Sequence, residues 1–326
     1  GSLNIAGGAT FNAVEAGLTA TMQIDALTGA GNFLGGYFGN SNGLSTVTIG
    51  VAGGSGTFSG SLQDNPGAHL GIVKTGAGTE TFSGSNTYTG GTSVNAGVLV
   101  FGAAAALPNA SLNIQSTGEV QLAPSIGGVT LQSLSITNSG VLDLTNNHLI
   151  LDYGPSDPIA TIRGYLQSGY AGGAWTGLGI NSSAAALPAN SHYAIGYADG
   201  ADGVVVGLPS GQIEIKYTLY GDANLDGVVN GIDFTILVGS LGKSVAAWDK
   251  GDFNYDGTVN GEDFTLLVGN LGRNAVGASV QLPASDYAAI DAFAAANGLM
   301  ADVPEPASAG LFALSLVGIL GTRKRR

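Results

Sequence analysis

The segment Thr57-Phe58-Ser59-Gly60-Ser61 returns 24 residues later as Thr81-Phe82-Ser83-Gly84-Ser85. A second segment, Ser111-Leu112-Asn113-Ile114, returns after 22 residues as Ser133-Leu134-Ser135-Ile136, and Ser2-Leu3-Asn4-Ile5 opens the chain in the same way. Internal repetition with a period of about 20 to 25 residues is typical of solenoids, in which each repeat forms one coil. The repeats therefore predict a mainly β fold that begins with a β-solenoid.

The remainder of residues 1–152 fits this architecture. Short apolar runs such as Val141-Leu142-Asp143-Leu144 alternate with Gly, Ser, Thr and Asn, which is the pattern of short strands joined by tight turns. One coil cannot bury its own apolar side, but coils stacked about 4.8 Å apart pair their backbones and share a core. A β-sandwich of the same strands is the alternative, and the near-constant period favours the solenoid.

The composition excludes several classes of protein. Of 326 residues, 55 are Gly, none is Cys and 10% are charged, against about 25% in typical soluble domains. Glycine without a three-residue period excludes collagen, and an apolar content of 44% is too high for a disordered chain. The net charge of −13 repels phosphate, so no nucleic acid is expected as a partner. Without Cys there is no disulfide, thiolate nucleophile or cysteine zinc site.

Residues 71–102 contain a longer motif. It consists of Lys74-Thr75-Gly76-Ala77-Gly78-Thr79, then Thr81-Phe82-Ser83-Gly84, then Asn86-Thr87-Tyr88-Thr89-Gly90-Gly91-Thr92, then Val94-Asn95-Ala96-Gly97-Val98-Leu99. This order resembles the autotransporter-associated β-strand repeat. The resemblance implies a right-handed β-solenoid (β-helix) that serves as the passenger of a secreted or surface protein.

Residues 153–219 predict a small α+β cap or spacer. An open coil end exposes unpaired backbone groups, so a solenoid needs such a cover. A helix is expected from Ile159 to Leu166. Apolar runs predict strands at Tyr193–Tyr197, Val204–Val206 and Ile213–Leu219.

Two acidic loops of twelve residues carry the strongest chemical signal, one from Asp222 to Asp233 and a duplicate that starts 30 residues later, from Asp252 to Asp263. In each loop, oxygen atoms at positions 1, 3, 5, 9 and 12 and the carbonyl at position 7 can converge on one cation, while Gly at position 6 supplies the turn. Hard oxygen donors without nitrogen or sulfur fit calcium. The predicted ligands of two Ca²⁺ ions are Asp222, Asn224, Asp226, Val228, Asn230 and Asp233 in the first loop, and Asp252, Asn254, Asp256, Thr258, Asn260 and Asp263 in the second.

A short apolar helix is predicted after each loop, at Phe234–Gly239 and Phe264–Gly269, and the two helices are expected to pack together. The loops, with Asp at position 12, and these helices make residues 220–273 similar to a type I dockerin. The resemblance implies docking to a cohesin-like receptor. The alternative is that two calcium ions only hold a small domain together, without any partner. Gly231-Ile232 and Gly261-Glu262 stand where cohesin-binding dockerins often have Ser-Thr pairs, and both interpretations stay open.

Residues 274–302 predict a linker that contains one short helix. The helix is expected from Ser285 to Asn297, with Ser285 as its N-cap and Gly298 just past its end. Asp286 lies in its first turn, where a negative charge is favourable.

Residues 303–326 predict a membrane-spanning tail. Val303, Pro304, Glu305 and Pro306 precede an apolar run, and Arg323, Lys324, Arg325 and Arg326 follow it. A helix from Ala307 to Thr322 would be about 24 Å long at 1.5 Å per residue, which spans a bilayer if the basic side chains snorkel. The basic end predicts a cytoplasmic C-terminus. The order of the three parts resembles the PEP-CTERM sorting signal, which implies removal by an exosortase-type processing enzyme in the inner membrane.

These features together predict an exported, noncatalytic cell-surface or extracellular-matrix protein with a structural or adhesive role. The alternatives are a polysaccharide-acting β-helix enzyme and a cohesin-docking interaction subunit. Asp143 and Asp152 are the candidate carboxylate pair of such an enzyme. The His residues at 69, 148 and 192 lie in no motif.

Other candidate partners follow from composition and analogy. Trp175, His192 and Tyr193 are candidates for binding a sugar, against ordinary roles in the core and turns. A surface polysaccharide and further copies of the chain stay open as partners of the solenoid.

Overall fold

The structure is a computed structural model that describes residues 1–13, 21–35, 43–244 and 247–300. The protein is mainly β. The first strands are β1 (Leu3–Ile5), β2 (Thr10–Ala13), β3 (Thr21–Ile24), β4 (Leu27–Gly29), β5 (Asn32–Gly35), β6 (Gly43–Ile49), β7 (Gly56–Phe58), β8 (Ser61–Asp64), β9 (Ala68–Lys74) and β10 (Thr79–Phe82). They are followed by β11 (Thr92–Phe101), β12 (Ser111–Leu122), β13 (Gly128–Leu131), β14 (Ser133–Ile136), β15 (Val141–Asp143), β16 (His148–Asp152), β17 (Gly179–Asn181), β18 (Tyr193–Asp199) and β19 (Gln212–Leu219). The α-helices are α1 (Ile159–Tyr170), α2 (Gly231–Ser240), α3 (Gly261–Val268) and α4 (Ala284–Asn297).

The amino-terminal part is a β-solenoid of about 6 turns. Strands of successive coils pair in parallel, and the longest row runs β1, β4, β7, β10, β11, β12, β15 and β17. Leu3 pairs with Leu27, Thr57 with Thr81, and Leu112 with Leu134, so these equivalent positions lie 22 to 24 residues apart. The predicted solenoid is confirmed. The β-sandwich is wrong, because a sandwich joined by hairpins pairs its strands antiparallel.

The repeated phenylalanines form a column inside the coils. Phe58 pairs with Phe82 and Phe82 with Phe101, and all three side chains are fully buried. The rings of Phe82 and Phe101 lie 6.3 Å apart, edge to face, which is a favourable arrangement. Two residues after Phe82, a Cβ on Gly84 would lie 1.8 Å from the carbonyl oxygen of Gly60, so this position must be glycine. Each copy of the repeat therefore supplies one buried aromatic ring and one glycine corner that packs closely on the neighbouring coil.

Residues beyond 152 close the last coil. Strand β17 pairs in parallel with β15, and α1 lies against β17 so closely that a Cβ on Gly169 would be 1.7 Å from the carbonyl oxygen of Ile180. Strands β16, β19 and β18 pair antiparallel, which ends the parallel stacking. The strand predicted at Val204–Val206 is wrong. This segment lies between β18 and β19 without forming a strand; Val205 packs in part against the core, whereas Val206 is 99% exposed.

Each acidic loop leads into a helix, as the sequence predicts, but α2 and α3 begin at Gly231 and Gly261, three residues before the predicted starts at Phe234 and Phe264. A third helix comes from the linker. The predicted N-cap at Ser285 is wrong, because α4 begins at Ala284 and Pro283 takes the N-cap position without a side-chain acceptor. The predicted end is confirmed, since Gly298 has a φ of 74° and its amide bonds the carbonyl of Ala294.

Helices long and apolar enough to cross a membrane are absent from the part of the chain that the structure describes. The predicted span and sorting signal, from residue 303 onward, lie outside those residues.

Candidate metal centre

The two acidic loops have the same backbone geometry. In the first, Asn224 Oδ1 accepts a hydrogen bond from the amide of Asp226 at 3.0 Å, and Asp226 Oδ1 accepts one from Val228 at 2.8 Å. The same bonds recur in the second loop at 3.0 and 2.7 Å. Gly227 and Gly257, at position 6, have φ of 85° and 88°, a conformation that favours glycine. In each loop, the side chains of predicted ligands therefore stabilise the turn through hydrogen bonds to backbone amides.

The last carboxylate joins the two ends of each loop. Asp233 Oδ1 accepts the amide of Ala223 at 2.9 Å, and its Oδ2 accepts that of Asn230 at 2.9 Å. Asp263 makes the corresponding bonds at 2.7 and 2.9 Å. Asn230 in turn caps α2, because its Oδ1 accepts the amide of Ile232 at 2.7 Å. The last carboxylate thus holds positions 2, 9 and 12 of each loop together.

The first carboxylate of each loop has an oxygen without a hydrogen-bond partner. Asp222 is fully buried and Asp252 is 3% exposed, and the Oδ1 atom of each is buried and unpaired. Such an oxygen costs free energy, which a cation bound to it would offset. The chemistry of the donor set and these orphaned atoms fit a hard cation such as Ca²⁺.

Burial raises the pKa of the loop carboxyl groups. The pKa rises to about 6 for Asp222, Asp252 and Asp263, and to about 7 for Asp233. After burial, the negative charge of Asp222 is the next cause of the raised pKa of Asp233. Like charges held together in this way favour a bound divalent cation.

The predicted ligand sets are not carboxylate clusters. Among the described residues, no three His, Asp or Glu side chains form a group that could hold a metal by themselves. Each predicted ligand set contains three carboxylates, and those of Asp226 and Asp256 bond backbone amides. A calcium ion would therefore also need the Asn side chains and the carbonyl oxygens of Val228 and Thr258.

The two loop helices pack against each other and against α4. The rings of Phe234 and Phe264 lie 6.3 Å apart, and Phe293 of α4 lies 5.3 Å from each of them. Ile290 and Ala294 of α4 are fully buried. The sequence prediction places α4 in a linker and misses this packing, although the helical spacing of these three residues was an available signal.

Comparisons with known families agree with this geometry. The passenger-associated-transport-repeat model matches residues 72–101, the Dockerin type I domain matches residues 220–272, and the PEP-CTERM protein-sorting motif matches residues 302–326. These matches indicate an exported protein with a dockerin module. No curated protein and no solved structure matches the chain. Below, "dockerin module" means residues 220–300, which add α4 to the matched domain.

The dockerin match bears on the loops, and the sorting match bears on the tail. Type I dockerins generally bind calcium, and both acidic loops lie inside the matched residues. The PEP-CTERM match implies processing by an exosortase and transient anchoring in a membrane. The three matched families are a noncatalytic repeat, a dockerin and a sorting signal.

The candidate carboxylate pair is not brought together as one site. Asp143, in the solenoid, accepts hydrogen bonds from the amides of Thr145 at 2.8 Å and Ser183 at 2.9 Å, and from Gln121 Nε2 at 2.9 Å. Asp152 is exposed at the end of β16, which belongs to a different sheet from β15, the strand that contains Asp143. Asp143 therefore joins the solenoid to the cap.

The candidate sugar-binding residues have packing roles. Trp175 is 1% exposed, and its Nε1 donates to the Tyr220 hydroxyl at 3.0 Å. Tyr193 stacks on Tyr217 with ring centroids 4.9 Å apart. His192 supplies its carbonyl oxygen to Asn270 Nδ2 at 3.1 Å.

His69 lies in a polar cluster on the solenoid that the sequence did not indicate. Thr89 Oγ1 donates to Asp64 Oδ2 at 2.6 Å, and His69 Nδ1 lies 3.5 Å from the same carboxylate oxygen and within hydrogen-bond distance of the Thr89 hydroxyl. The Thr89 hydroxyl donates its one proton to Asp64, so toward His69 it can act only as a hydrogen-bond acceptor. His69 therefore does not act as a base toward Thr89. The cluster ties neighbouring coils together.

Proposed function

We propose that this protein is an exported, noncatalytic structural protein of the cell surface or extracellular matrix. The observation that carries the proposal is one continuous core, in which buried residues from Ile5 in the first coil to Ala294 in α4 form a single hydrophobic cluster. The repeat, the dockerin domain and the sorting motif follow one another on this chain. A stalk that ends in a calcium-stabilised module suits a structural or adhesive role.

The distribution of cations supports a noncatalytic solenoid. Residues 1–215 contain only Lys74 and Arg163 as cations. Lys74 is fully buried, and its ammonium donates hydrogen bonds to the carbonyl oxygens of Thr75, Gly76 and Ala96 at 2.7, 3.0 and 3.3 Å. Its charge therefore stabilises the backbone at a corner of the coil and does not face a substrate. A reducing-sugar assay on common polysaccharides is expected to show no release, and release would support the β-helix enzyme.

We propose two calcium ions, one in each loop. The ligands are the six oxygens in each loop named above, with Asp222 and Asp252 supplying the unpaired Oδ1 atoms. Calcium at these atoms removes the repulsion among buried carboxylates, so chelation is expected to unfold the dockerin module. Circular dichroism of the full chain during heating tests this, with equal curves in calcium and in chelator as the contradictory result.

Sorting through the tail is tested by processing. The chain is expressed with and without an exosortase, and the carboxyl terminus of the surface form is determined by mass spectrometry. The proposal predicts loss of the basic residues that end in Arg326 only when the exosortase is present. An intact Arg326 on the surface form would overturn the sorting role.

Docking to a cohesin-type partner is a second candidate, favoured by one exposed apolar side chain. Ile232, at the start of α2, is 59% exposed and borders a groove of about 530 Å³ that Leu282 and Pro283 also line. Glu262 takes the same place in the second loop, so only the first copy presents an apolar anchor. A purified cohesin domain should bind in calcium, lose binding to Ile232→Asp and retain it with Glu262→Ala. Equal binding by both variants would refute this surface.

A further inference from the structure

The side chain at position 4 of each acidic loop points away from the ligands and is buried. Leu225 and Tyr255 have φ of 55° and 60°, and they are 2% and 5% exposed. A non-glycine residue in this left-handed conformation is uncommon, and here it lies between the ligands at positions 3 and 5. The conformation that winds the loop around an ion therefore also directs these two side chains outward from the loop.

Tyr255 enters the cap. Its hydroxyl donates to the carbonyl oxygen of Ile195 in β18, and its own carbonyl oxygen accepts from Gln167 Nε2 of α1 at 3.0 Å. The ring lies 5.4 Å from Tyr170, 5.9 Å from Trp175, 6.1 Å from Tyr197 and 5.9 Å from Trp248. One loop residue thus fills an aromatic pocket that belongs mostly to the cap.

Leu225 and Trp248 rest on the same glycine of the cap. A Cβ on Gly196 in β18 would lie 2.6 Å from Trp248 Nε1 and 2.8 Å from Leu225 Cδ2. Trp248 Nε1 donates to the carbonyl oxygen of Asp222 at 2.7 Å, and the Leu225 carbonyl oxygen accepts from Lys216 Nζ of β19. The first loop is therefore held against the cap sheet by packing and by hydrogen bonds.

Further polar bonds cross between the dockerin module and the cap. Asn270 Nδ2 donates to the carbonyl oxygen of His192 at 3.1 Å, and the Tyr193 hydroxyl donates to that of Ala275 at 3.2 Å. Lys250 pairs with Asp202 at 3.3 Å. The contact thus extends along β18 and beyond both of its ends.

We propose that the cap is the partner of the two acidic loops, and that calcium in the loops holds the dockerin module closed over the end of the solenoid. This inference rests on the proposed calcium binding. When the ligands converge on an ion, the backbone at positions 3 and 5 is held in place. The residue at position 4 between them then keeps the left-handed conformation that directs its side chain into the cap. Without the ion, the loop carboxylates repel one another and the two anchors are released.

The chain's two tryptophans make the contact measurable, because both are buried there. Trp175 belongs to the cap and is 1% exposed, and Trp248 belongs to the module and is fully buried. In the full-length Trp248→Phe variant only Trp175 emits. Chelation is expected to red-shift this emission and to increase acrylamide quenching severalfold. If only the module responded to calcium, Trp175 would stay shielded, which would overturn the proposal.

Hydrogen exchange of the unmodified chain gives an independent readout should Trp248→Phe fold poorly. Amides of β18 are expected to exchange faster after chelation, while those of β11 and β12 in the solenoid do not change. Calorimetry with CaCl₂ accompanies both measurements. Bound calcium with unchanged Trp175 emission and unchanged β18 exchange overturns this inference and leaves the proposed function intact. Absence of calcium binding overturns both.

A larger side chain in the interface between the cap and the dockerin module disturbs this contact without altering any proposed calcium ligand. Gly196→Val places side-chain atoms against Trp248 and Leu225 and changes no proposed ligand. By the reciprocity of linkage, it should weaken calcium binding, on the order of tenfold, and expose Trp175 even in calcium when it is combined with Trp248→Phe. Gly164→Ala is the matched control, because a Cβ there meets nothing within 4 Å. Unchanged calcium affinity and Trp175 emission in Gly196→Val would contradict the proposal.

Discussion

Glu80 is a buried carboxyl group inside the solenoid. It lies in β10 and is fully buried, with Oε1 unpaired and Oε2 accepting the amide of Leu27 at 3.4 Å. Gly56 of the preceding coil leaves room for it, because a Cβ there would lie 2.7 Å from Oε2. Burial raises the pKa of Glu80 from 4.5 to about 7, although the Leu27 amide and the charge of Lys74 oppose this.

This raised pKa makes stability fall as the pH rises. Between pH 4.5 and about 7 the folded state keeps a proton that the unfolded chain has released. The stabilisation is complete below pH 4.5 and is lost as the pH rises through about 7. At 1.36 kcal/mol for each pKa unit, the loss amounts to about 3 kcal/mol at pH 8.

The Glu80→Gln variant keeps the shape of the side chain and cannot titrate. Urea unfolding of both proteins, followed by circular dichroism at pH 5 and pH 8 in excess calcium, gives the free energy of unfolding. The loop carboxylates are the same in both proteins, so their titration cancels in the difference. Relative to wild type, Glu80→Gln should gain about 3 kcal/mol between the two pH values. If the two proteins differed in free energy of unfolding by the same amount at pH 5 and pH 8, the reasoning would be refuted.

Three substitutions test the packing. Phe82→Ala opens a cavity in the phenylalanine column and should cost about 3–5 kcal/mol in urea unfolding, whereas the exposed neighbour Ser83→Ala should change little. Gly84→Ala should lower the melting temperature strongly because its Cβ meets the Gly60 carbonyl oxygen at 1.8 Å; a melting temperature equal to wild type would contradict the corner geometry. Phe293→Ala should lower the unfolding temperature of the dockerin module in calcium, because it removes a ring that contacts Phe234 and Phe264; the exposed Ala295→Ser is its control, and equal effects of the two would contradict the role of α4.

Features that repeat in the sequence were predictable. The copies of Thr-Phe-Ser-Gly-Ser set the coil spacing, and the structure pairs Thr57 with Thr81 as that spacing requires. The acidic loops were predictable for the same reason, since ligand positions within twelve residues are fixed by local backbone bonds such as that from Asp226 to Asn224.

Contacts between distant segments were not predictable. Tyr255 bonds Ile195, 60 residues earlier, and nothing around either residue signals the other. The same holds for Phe293, which packs on two helices from separate loops. The run Val204-Val205-Val206 has the composition of a strand, but a strand needs a neighbour to pair with, and among the described strands none pairs with this run.

The calcium stoichiometry of the full chain tests the account most directly. Calorimetric titration with CaCl₂ should give two ions per chain, and Asp222→Asn and Asp252→Asn should each remove one of them, because each change replaces the buried carboxylate with the unpaired oxygen. Two ions bound by the Asp222→Asn/Asp252→Asn double variant, or none bound by the wild type, would contradict it.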